Sequence, residues 1–231
     1  MKIHHFFGDL LNLIYPDYCV ICDDLLHKHE KSLCTACLLD LPRTDFHEDR
    51  ENFVEQLFWG KVKLELATSY LNYIKGGNVQ RMMHKFKYKG YKEVGEHLGR
   101  RFGVELNQTA FAGIDAIVPI PLHKKKQKKR GYNQSDYLGR GLAQSLHKPL
   151  ITDVLVRNKF TDTQTKKSKF DRWQNVSDIF VVNDENQFSG KHILLVDDVV
   201  TTGSTLEVAA AEILKCRDTR VSIATLAVAM L

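Results

Sequence analysis

The sequence predicts an α/β protein with a parallel sheet flanked by helices and a small cysteine-containing module in front of it. Two segments, 114–146 and 192–214, each place an apolar run before a polar loop and a helical pattern. Because strand–loop–helix units connect neighbouring parallel strands, their repetition favours a sheet covered by helices. The module is predicted by two closely spaced cysteine pairs between residues 19 and 37.

Length and composition fit one main core with room for a small extra module. The chain has 231 residues, of which 43% are hydrophobic and 26% charged, as in ordinary globular domains. The net charge of +5 does not by itself indicate a nucleic-acid partner. No apolar run approaches the roughly 20 residues of a membrane span, and the N-terminus does not resemble a secretory signal. We expect a cytoplasmic protein with a module and N-terminal helix at 1–45, a polar linker at 42–52 and a second domain at 55–231.

Four cysteines are spaced as ligands of one structural metal ion. They form two Cys-x-x-Cys pairs: Cys19, Cys22, Cys34 and Cys37. Two intervening residues let both thiolates of a pair face one ion, and four thiolates complete a closed tetrahedral zinc site. Disulfides or redox pairs are the alternatives, and a reducing compartment argues against structural disulfides. We expect His27, His29 and His47 to be solvated and Cys216 to pack in the core.

Hydrophobic periodicity predicts the elements of the second domain in order. We expect strands at 66–73, 114–121, 154–156, 193–196 and 219–230, and helices at 79–86, 94–106, 135–146 and 206–214. The segment 157–177 is polar and carries Gln164 and Arg172. A polar segment this long inside a compact domain is usually a lid or disordered.

Two basic segments have competing interpretations. Residues 85–92 alternate basic and aromatic side chains, a pattern that suits stacking on single-stranded nucleic acid. We favour the alternative, a helix end where the dipole attracts lysines. A basic loop is expected after the strand at 114–121, and its candidate anion-binding residues are Lys124, Arg130, Tyr132, Asn133 and Gln134. Its cations suit a multiply charged anion, and a solvated charge run is the equal alternative.

The segment 192–206 predicts a site for a phosphorylated sugar. The apolar run 193–196 ends at Asp197 and Asp198, whose carboxylates can accept hydrogen bonds from ribose hydroxyls or help hold Mg²⁺. A small hydroxyl-rich turn follows: Thr201, Thr202, Gly203, Ser204 and Thr205. The helix that starts there offers N–H groups and a positive dipole end to a phosphate. An ordinary capped turn is the alternative, and two adjacent uncompensated carboxylates argue against it.

This segment closely resembles the phosphoribosyl-pyrophosphate signature of type I phosphoribosyltransferases. The resemblance implies a type I phosphoribosyltransferase-like fold in which Asp197 and Asp198 bracket the ribose 2- and 3-hydroxyls and residues 201–205 cradle the 5-phosphate. It also implies that the loop after the first core strand binds pyrophosphate and that 157–177 is a mobile catalytic loop. Such a loop would exclude water from a reaction that builds positive charge on the ribose carbon.

Three features together resemble the ComF family, the competence protein F group linked to DNA uptake in bacteria. They are the four-cysteine module, the strings 118–123 and 130–134 with the Gln164/Arg172/Asn175 pattern, and the phosphoribosyl motif. The chain departs from the family at Asp23, where many members have glycine. It also uses lysines where an arginine is common before Arg130.

The resemblance leaves two functions open. One is an enzyme that uses Mg²⁺ and phosphoribosyl pyrophosphate to transfer a 5-phosphoribosyl group to a nitrogen nucleophile. Purine salvage is disfavoured, because Thr201 stands where those transferases commonly have an acidic residue and cannot act as a general base near neutral pH. The other is a non-enzymatic protein whose site senses a nucleotide or phosphate and whose module and basic segments bind single-stranded DNA or competence proteins. The acceptor and the oligomeric state stay open.

Overall fold

The structure is a computed structural model that describes residues 16–157 and 179–230. The predicted N-terminal helix and the candidate site residues Gln164 and Arg172 lie outside the described residues. Among those described, no helix is long and apolar enough to cross a membrane.

Four parallel strands form the central sheet, as the sequence predicts. They are β1 (Ala67–Asn72), β2 (Ala116–Pro119), β5 (His192–Val200) and β6 (Arg220–Val228), in the order β1-β6-β5-β2. Every pair is parallel. The apolar side chains of β5 alternate between two hydrophobic clusters, one on each face. The strand is therefore buried on both sides, which is usual for parallel sheets.

A second, smaller sheet contains the strand predicted near residue 155. Strand β3 (Leu155–Arg157) pairs antiparallel with β4 (Phe180–Val182). These two strands flank the polar segment that the sequence analysis interprets as a lid, and both lie outside the parallel sheet.

Helices cover both faces of the central sheet. The α-helices are α1 (Thr35–Leu39), α2 (Phe53–Gln56), α3 (Asn78–Tyr88), α4 (Glu93–Leu106), α5 (Lys124–Arg130), α6 (Gln134–Leu146) and α7 (Ser204–Ile213), with short 3₁₀ turns at Ala110–Gly113 and Glu185–Gln187. One face packs with Phe86 of α3 and Phe102 of α4. The other packs with Phe58, which follows α2, and with Ile213 of α7.

The basic segment is a helix, so the prediction of a basic loop at 124–130 is wrong. Lysine and arginine favour helix strongly enough to form one despite their mutual repulsion. The His123 side chain accepts a hydrogen bond from the Lys125 N–H at 3.2 Å and caps the first turn. Gly131, at φ +83°, ends the helix by donating to the Gln127 carbonyl at 2.7 Å, because glycine adopts this left-handed conformation without strain.

The cysteine module shares a hydrophobic cluster with the sheet domain. Val20, Ile21 and Leu33 are buried in the same cluster as Met82 and Phe86 of α3. The module is therefore packed against α3 as well as connected to it through the chain.

The polar segment predicted as a linker is held against β1. The Asn72 N–H donates to the Pro42 carbonyl at 2.8 Å, and the Asn52 side chain donates to the Ala67 carbonyl at 2.9 Å. The expectation that His47 is solvated is wrong, since its side chain is only 4% exposed and its ring meets Phe102 edge-on.

Helices α4 and α6 cross where glycines face each other, and this contact predicts a stability effect. A Cβ on Gly99 would clash with the Leu138 carbonyl oxygen, and a Cβ on Gly141 would lie 2.6 Å from the Arg100 nitrogen. We expect Gly99→Ala to lower the free energy of unfolding by about 1–3 kcal/mol in a urea titration, because overpacking outweighs the better helix propensity of alanine.

Gly113→Ala is the control, because nothing lies within 4 Å of its added Cβ. Equal stability of the two variants would contradict the close helix crossing.

Candidate functional site

The predicted acidic pair lies in the last part of β5, at the carboxyl edge of the parallel sheet. Asp197 pairs with Thr225 of β6, and the strand continues to Val200. Helix α7 begins at Ser204, two residues earlier than the sequence predicts. Ligands of open parallel sheets bind at this edge, so the structure places the pair where the sequence analysis expects it.

One carboxylate oxygen of Asp197 accepts two hydrogen bonds. The Ser135 hydroxyl, at the start of α6, donates to Asp197 Oδ1 at 2.8 Å, and the Asp198 backbone N–H donates to the same oxygen at 2.8 Å. Burial raises the pKa of Asp197 well above its ordinary value, and the neighbouring Asp198 carboxylate raises it further. Ser135 is a site residue that the sequence analysis missed.

Asp198 is paired with a lysine from another part of the chain. The Lys87 ammonium, in the last turn of α3, lies 3.0 Å from Asp198 Oδ1. The two side chains are 22% and 12% exposed, so the pair is largely removed from water. The sequence analysis assigned Lys87 to the basic and aromatic segment at 85–92. Its contact with Asp198 had no sequence signal, because it joins elements far apart in the chain.

Arg157 is a second cation near the pair. It is the last residue of β3 and the first residue of the segment that the sequence predicts as a lid. Burial lowers its pKa, and the Asp197 carboxylate acts in the opposite direction. Its guanidinium also lies over the Phe180 ring at 5.3 Å. The second sheet therefore brings positive charge toward the carboxyl edge.

The hydroxyl-rich turn leads directly into the N-terminus of α7. Thr201, Thr202, Ser204 and Thr205 are exposed, and Gly203 is buried between them. Gly203 has φ +78° and makes no side-chain cap, so the first N–H groups of this ten-residue helix have no side-chain partner at the cap position. A helix N-terminus of this kind attracts anions.

Gly203 is also required by packing. A Cβ there would lie 2.9 Å from Cε1 of Phe58, which is 2% exposed. Both the left-handed backbone and the contact with Phe58 therefore demand glycine at this point of the turn.

The predicted residues 130–134 set the turn between α5 and α6. Arg130 donates from Nη1 to the Gln134 side-chain oxygen at 2.9 Å and lies over the ring of Tyr88 at 5.2 Å. The Tyr132 hydroxyl donates to the Phe86 carbonyl, and Asn133 donates to the Ile120 carbonyl at 3.0 Å.

Tyr132 and Asn133 therefore hold the backbone that positions Ser135. Lys124 is exposed at the first turn of α5. The structure thus brings together Asp197, Asp198, Ser135 and Lys87, and leaves Lys124 on the surface.

The four predicted cysteine ligands form one cluster. The sulfur atoms of Cys19, Cys22, Cys34 and Cys37 all lie within 4.8 Å of one another. This arrangement is consistent with a zinc module, because four thiolates can surround one tetrahedral ion. Cys216 is buried in the hydrophobic cluster beside α7, as predicted.

Comparisons with known proteins agree with this arrangement. The Phosphoribosyl transferase domain family matches residues 135–230, which include Ser135, the acidic pair and the turn. Competence protein F of Haemophilus influenzae is 43% identical over 93 residues, 40% of this chain and 41% of that protein. DNA utilization protein YhgH of Escherichia coli K12 is 34% identical over 129 residues, 54% of this chain and 56% of that protein. The alignments thus span about half the length of these two relatives.

One relative aligns along most of its length. Competence protein ComFC of Bacillus subtilis is 31% identical over 202 residues, 87% of this chain and 80% of that protein. Among solved structures, the glutamine phosphoribosylpyrophosphate amidotransferase of B. subtilis superposes with a TM-score of 0.43 and 18% identity, over 58% of this chain and 26% of that one.

The extended match to the Bacillus protein and the domain match over the acidic pair lead to one assignment. The chain belongs to the ComF family of phosphoribosyltransferase-like competence proteins.

Proposed function

We propose that the carboxyl edge of the sheet binds phosphoribosyl pyrophosphate together with Mg²⁺. The observation that supports this most strongly is the acidic pair in the last part of a strand buried on both faces, followed after a short turn by a helix N-terminus without a side-chain cap. Asp197 and Asp198 would accept hydrogen bonds from the ribose 2- and 3-hydroxyls. The backbone and hydroxyls of residues 201–205 would bind the 5-phosphate.

The residues of the edge fit a magnesium ion, because carboxylate oxygens are ligands that this hard cation prefers. A bound ion would neutralise charge that develops on the diphosphate. The chain itself would contribute position and electrostatics: Ser135 orients the Asp197 carboxylate, and Gly203 lets the backbone approach the phosphate.

We propose that the reaction, where an acceptor is bound, transfers the 5-phosphoribosyl group to a nitrogen nucleophile. The bond from the ribose carbon to the diphosphate oxygen breaks, the new carbon–nitrogen bond forms, and pyrophosphate leaves with the electron pair. Thr201 offers a hydroxyl in place of an acidic group, which disfavours a purine base as the acceptor. The names of the relatives favour a role in competence and DNA utilization.

Removing both carboxylates tests this proposal. We expect Asp197→Asn/Asp198→Asn to abolish binding of phosphoribosyl pyrophosphate with Mg²⁺, measured by isothermal titration calorimetry. Neutral amides are poorer ligands for the cation and weaker acceptors for the ribose hydroxyls than carboxylates are. Glu48→Gln/Asp49→Asn makes the same charge change at an exposed pair and should bind as the wild type does. Absence of binding by the folded wild type, or unchanged binding by the first variant, would refute the proposal.

We propose that the cysteine cluster holds one structural zinc ion. Four thiolates leave no open coordination position, so the ion would stabilise the module and take no part in chemistry. Because the module is small, metal binding would supply much of its folding free energy.

Elemental analysis of protein purified under reducing conditions should find about one zinc per chain, the number a four-thiolate site holds. Cys22→Ser/Cys37→Ser should lose the metal and lower the thermal midpoint of unfolding. Cys216→Ala, at a buried cysteine outside the cluster, should keep the metal. Full zinc content in the double variant would show that the ion lies elsewhere.

A specific surface supports a second function, binding of single-stranded DNA. All residues of α5 except Gln127 are lysine or arginine, and none of the helix is buried. At its end, Arg130 lies over the ring of Tyr88, which is 59% exposed. Proteins that bind single-stranded nucleic acids typically combine cations that follow the sugar-phosphate backbone with exposed aromatic rings that stack on the bases. The relatives also include a protein named for DNA utilization.

Salt dependence and a matched pair of variants test the second function. We expect the affinity for a single-stranded oligonucleotide, measured by fluorescence anisotropy, to fall steeply with salt because bound phosphates release counterions. Lys126→Gln/Lys129→Gln should weaken binding and reduce that slope, whereas Lys63→Gln/Lys75→Gln, at exposed lysines elsewhere, should not. Equal binding by both double variants would exclude α5 as the DNA surface.

A further inference from the structure

The last turn of α3 carries two lysines that reach two different parts of the molecule. Residues two apart on a helix point to nearly opposite sides. Lys85 Nζ lies 2.5 Å from Asp23 Oδ1 in the cysteine module, and Lys87 Nζ lies 3.0 Å from Asp198 Oδ1 at the carboxyl edge. One helical turn therefore joins the module to the site.

The contact of Lys87 places a flexible cation where the sugar is proposed to bind. Its side chain and that of Asp198 are mostly buried, so the ammonium has lost much of its water and Asp198 supplies the compensating charge. A ribose whose hydroxyls donate hydrogen bonds to Asp198 would replace Lys87 as the partner of that carboxylate. The ammonium would then need another anion close by, since an unpaired buried charge is costly.

The stereochemistry of phosphoribosyl pyrophosphate supplies that anion. In its α-configuration the 2-hydroxyl, the 3-hydroxyl and the 1-diphosphate project from the same face of the ribose ring. A carboxylate that binds the hydroxyls is therefore on the diphosphate side. A lysine beside that carboxylate, on a four-carbon stem with free rotation, reaches the diphosphate by a small movement.

We propose that Lys87 is a diphosphate-binding residue of the phosphoribosyl site and that the contact between Asp23 and Lys85 positions it. This inference rests on the proposed binding of phosphoribosyl pyrophosphate. Lys87 is paired with Asp198 in the free protein and exchanges that partner for the diphosphate when the ribose hydroxyls occupy Asp198.

Asp23 is well suited to the positioning role. Its φ is +62°, a left-handed conformation that glycine favours and that aspartate tolerates better than most residues. Asp23→Gly removes the carboxylate while relieving the backbone, and the variant should therefore fold.

Two ligands separate the role of Lys87 from a general effect on the site. The probes are phosphoribosyl pyrophosphate with Mg²⁺ and ribose 5-phosphate, which lacks the diphosphate; both are titrated by calorimetry. We expect Lys87→Met to weaken the affinity for phosphoribosyl pyrophosphate by about tenfold or more, the usual loss for a charge-assisted hydrogen bond. Binding of ribose 5-phosphate should be no weaker, and Lys87→Arg should recover part of the loss.

Variants of the neighbouring positions complete the experiment. Asp23→Gly should weaken binding of phosphoribosyl pyrophosphate by about threefold through lost positioning of the turn, a modest effect expected of an ion pair whose carboxylate is exposed. It should leave ribose 5-phosphate unchanged. Lys89→Met removes the same charge at an exposed lysine that caps the same helix and should bind both ligands as the wild type does.

The outcomes separate this inference from the proposed function. Wild-type binding that Lys87→Met leaves intact, or an equal loss for both ligands, overturns the inference and leaves the proposed function standing. Failure of the folded wild type to bind phosphoribosyl pyrophosphate overturns both. Unchanged binding by Asp23→Gly, with loss in Lys87→Met, overturns the positioning role of Asp23 alone.

Discussion

The rest of the site depends on keeping two adjacent carboxylates at the end of a buried strand. The Asp198 side chain is 12% exposed, and burial raises the pKa of Asp197, so both carboxylates depend on partners within the protein. The fold compensates with a hydroxyl from α6, a backbone N–H and an ammonium from α3. Helices α3 and α6 must therefore meet strand β5 at one edge of the sheet.

The turn between α5 and α6 shows how that convergence is achieved. Gly131 ends one helix, and the side chains of Tyr132 and Asn133 donate to the carbonyls of Phe86 and Ile120. These bonds fix the start of α6, which carries Ser135 to Asp197. They also tie α6 to the end of α3, so that Ser135 and Lys87 are positioned by one connected structure. Tyr132 and Asn133, which the sequence predicts as anion-binding residues, thus hold the backbone that places Ser135 beside Asp197.

The sequence predicts the features of the fold and the site that are encoded by residues close together in the chain. The apolar run before Asp197 and the small residues after it specify strand, turn and helix within a few positions, and cysteine spacing specifies the cluster. The pairing of Lys87 with Asp198 has no local pattern, because it depends on how α3 packs. The sequence predicts a loop at residues 124–130 because blocks of like charge are often flexible. The helix propensity of lysine and arginine and the caps at His123 and Gly131 form helix α5 there instead.

The two proposed functions draw on different cations, and this separation follows from burial. Lys85 and Lys87 are paired with carboxylates and partly removed from water, so they are already compensated and contribute little to a long-range field. Lysines 124–126, 128 and 129 are exposed on a helix with no buried residue, and exposed charge of one sign attracts polyanions over a Debye length. Under the two proposals, Lys87 would exchange its carboxylate partner for a small anion at the carboxyl edge, and the exposed lysines of α5 would attract an extended polyanion.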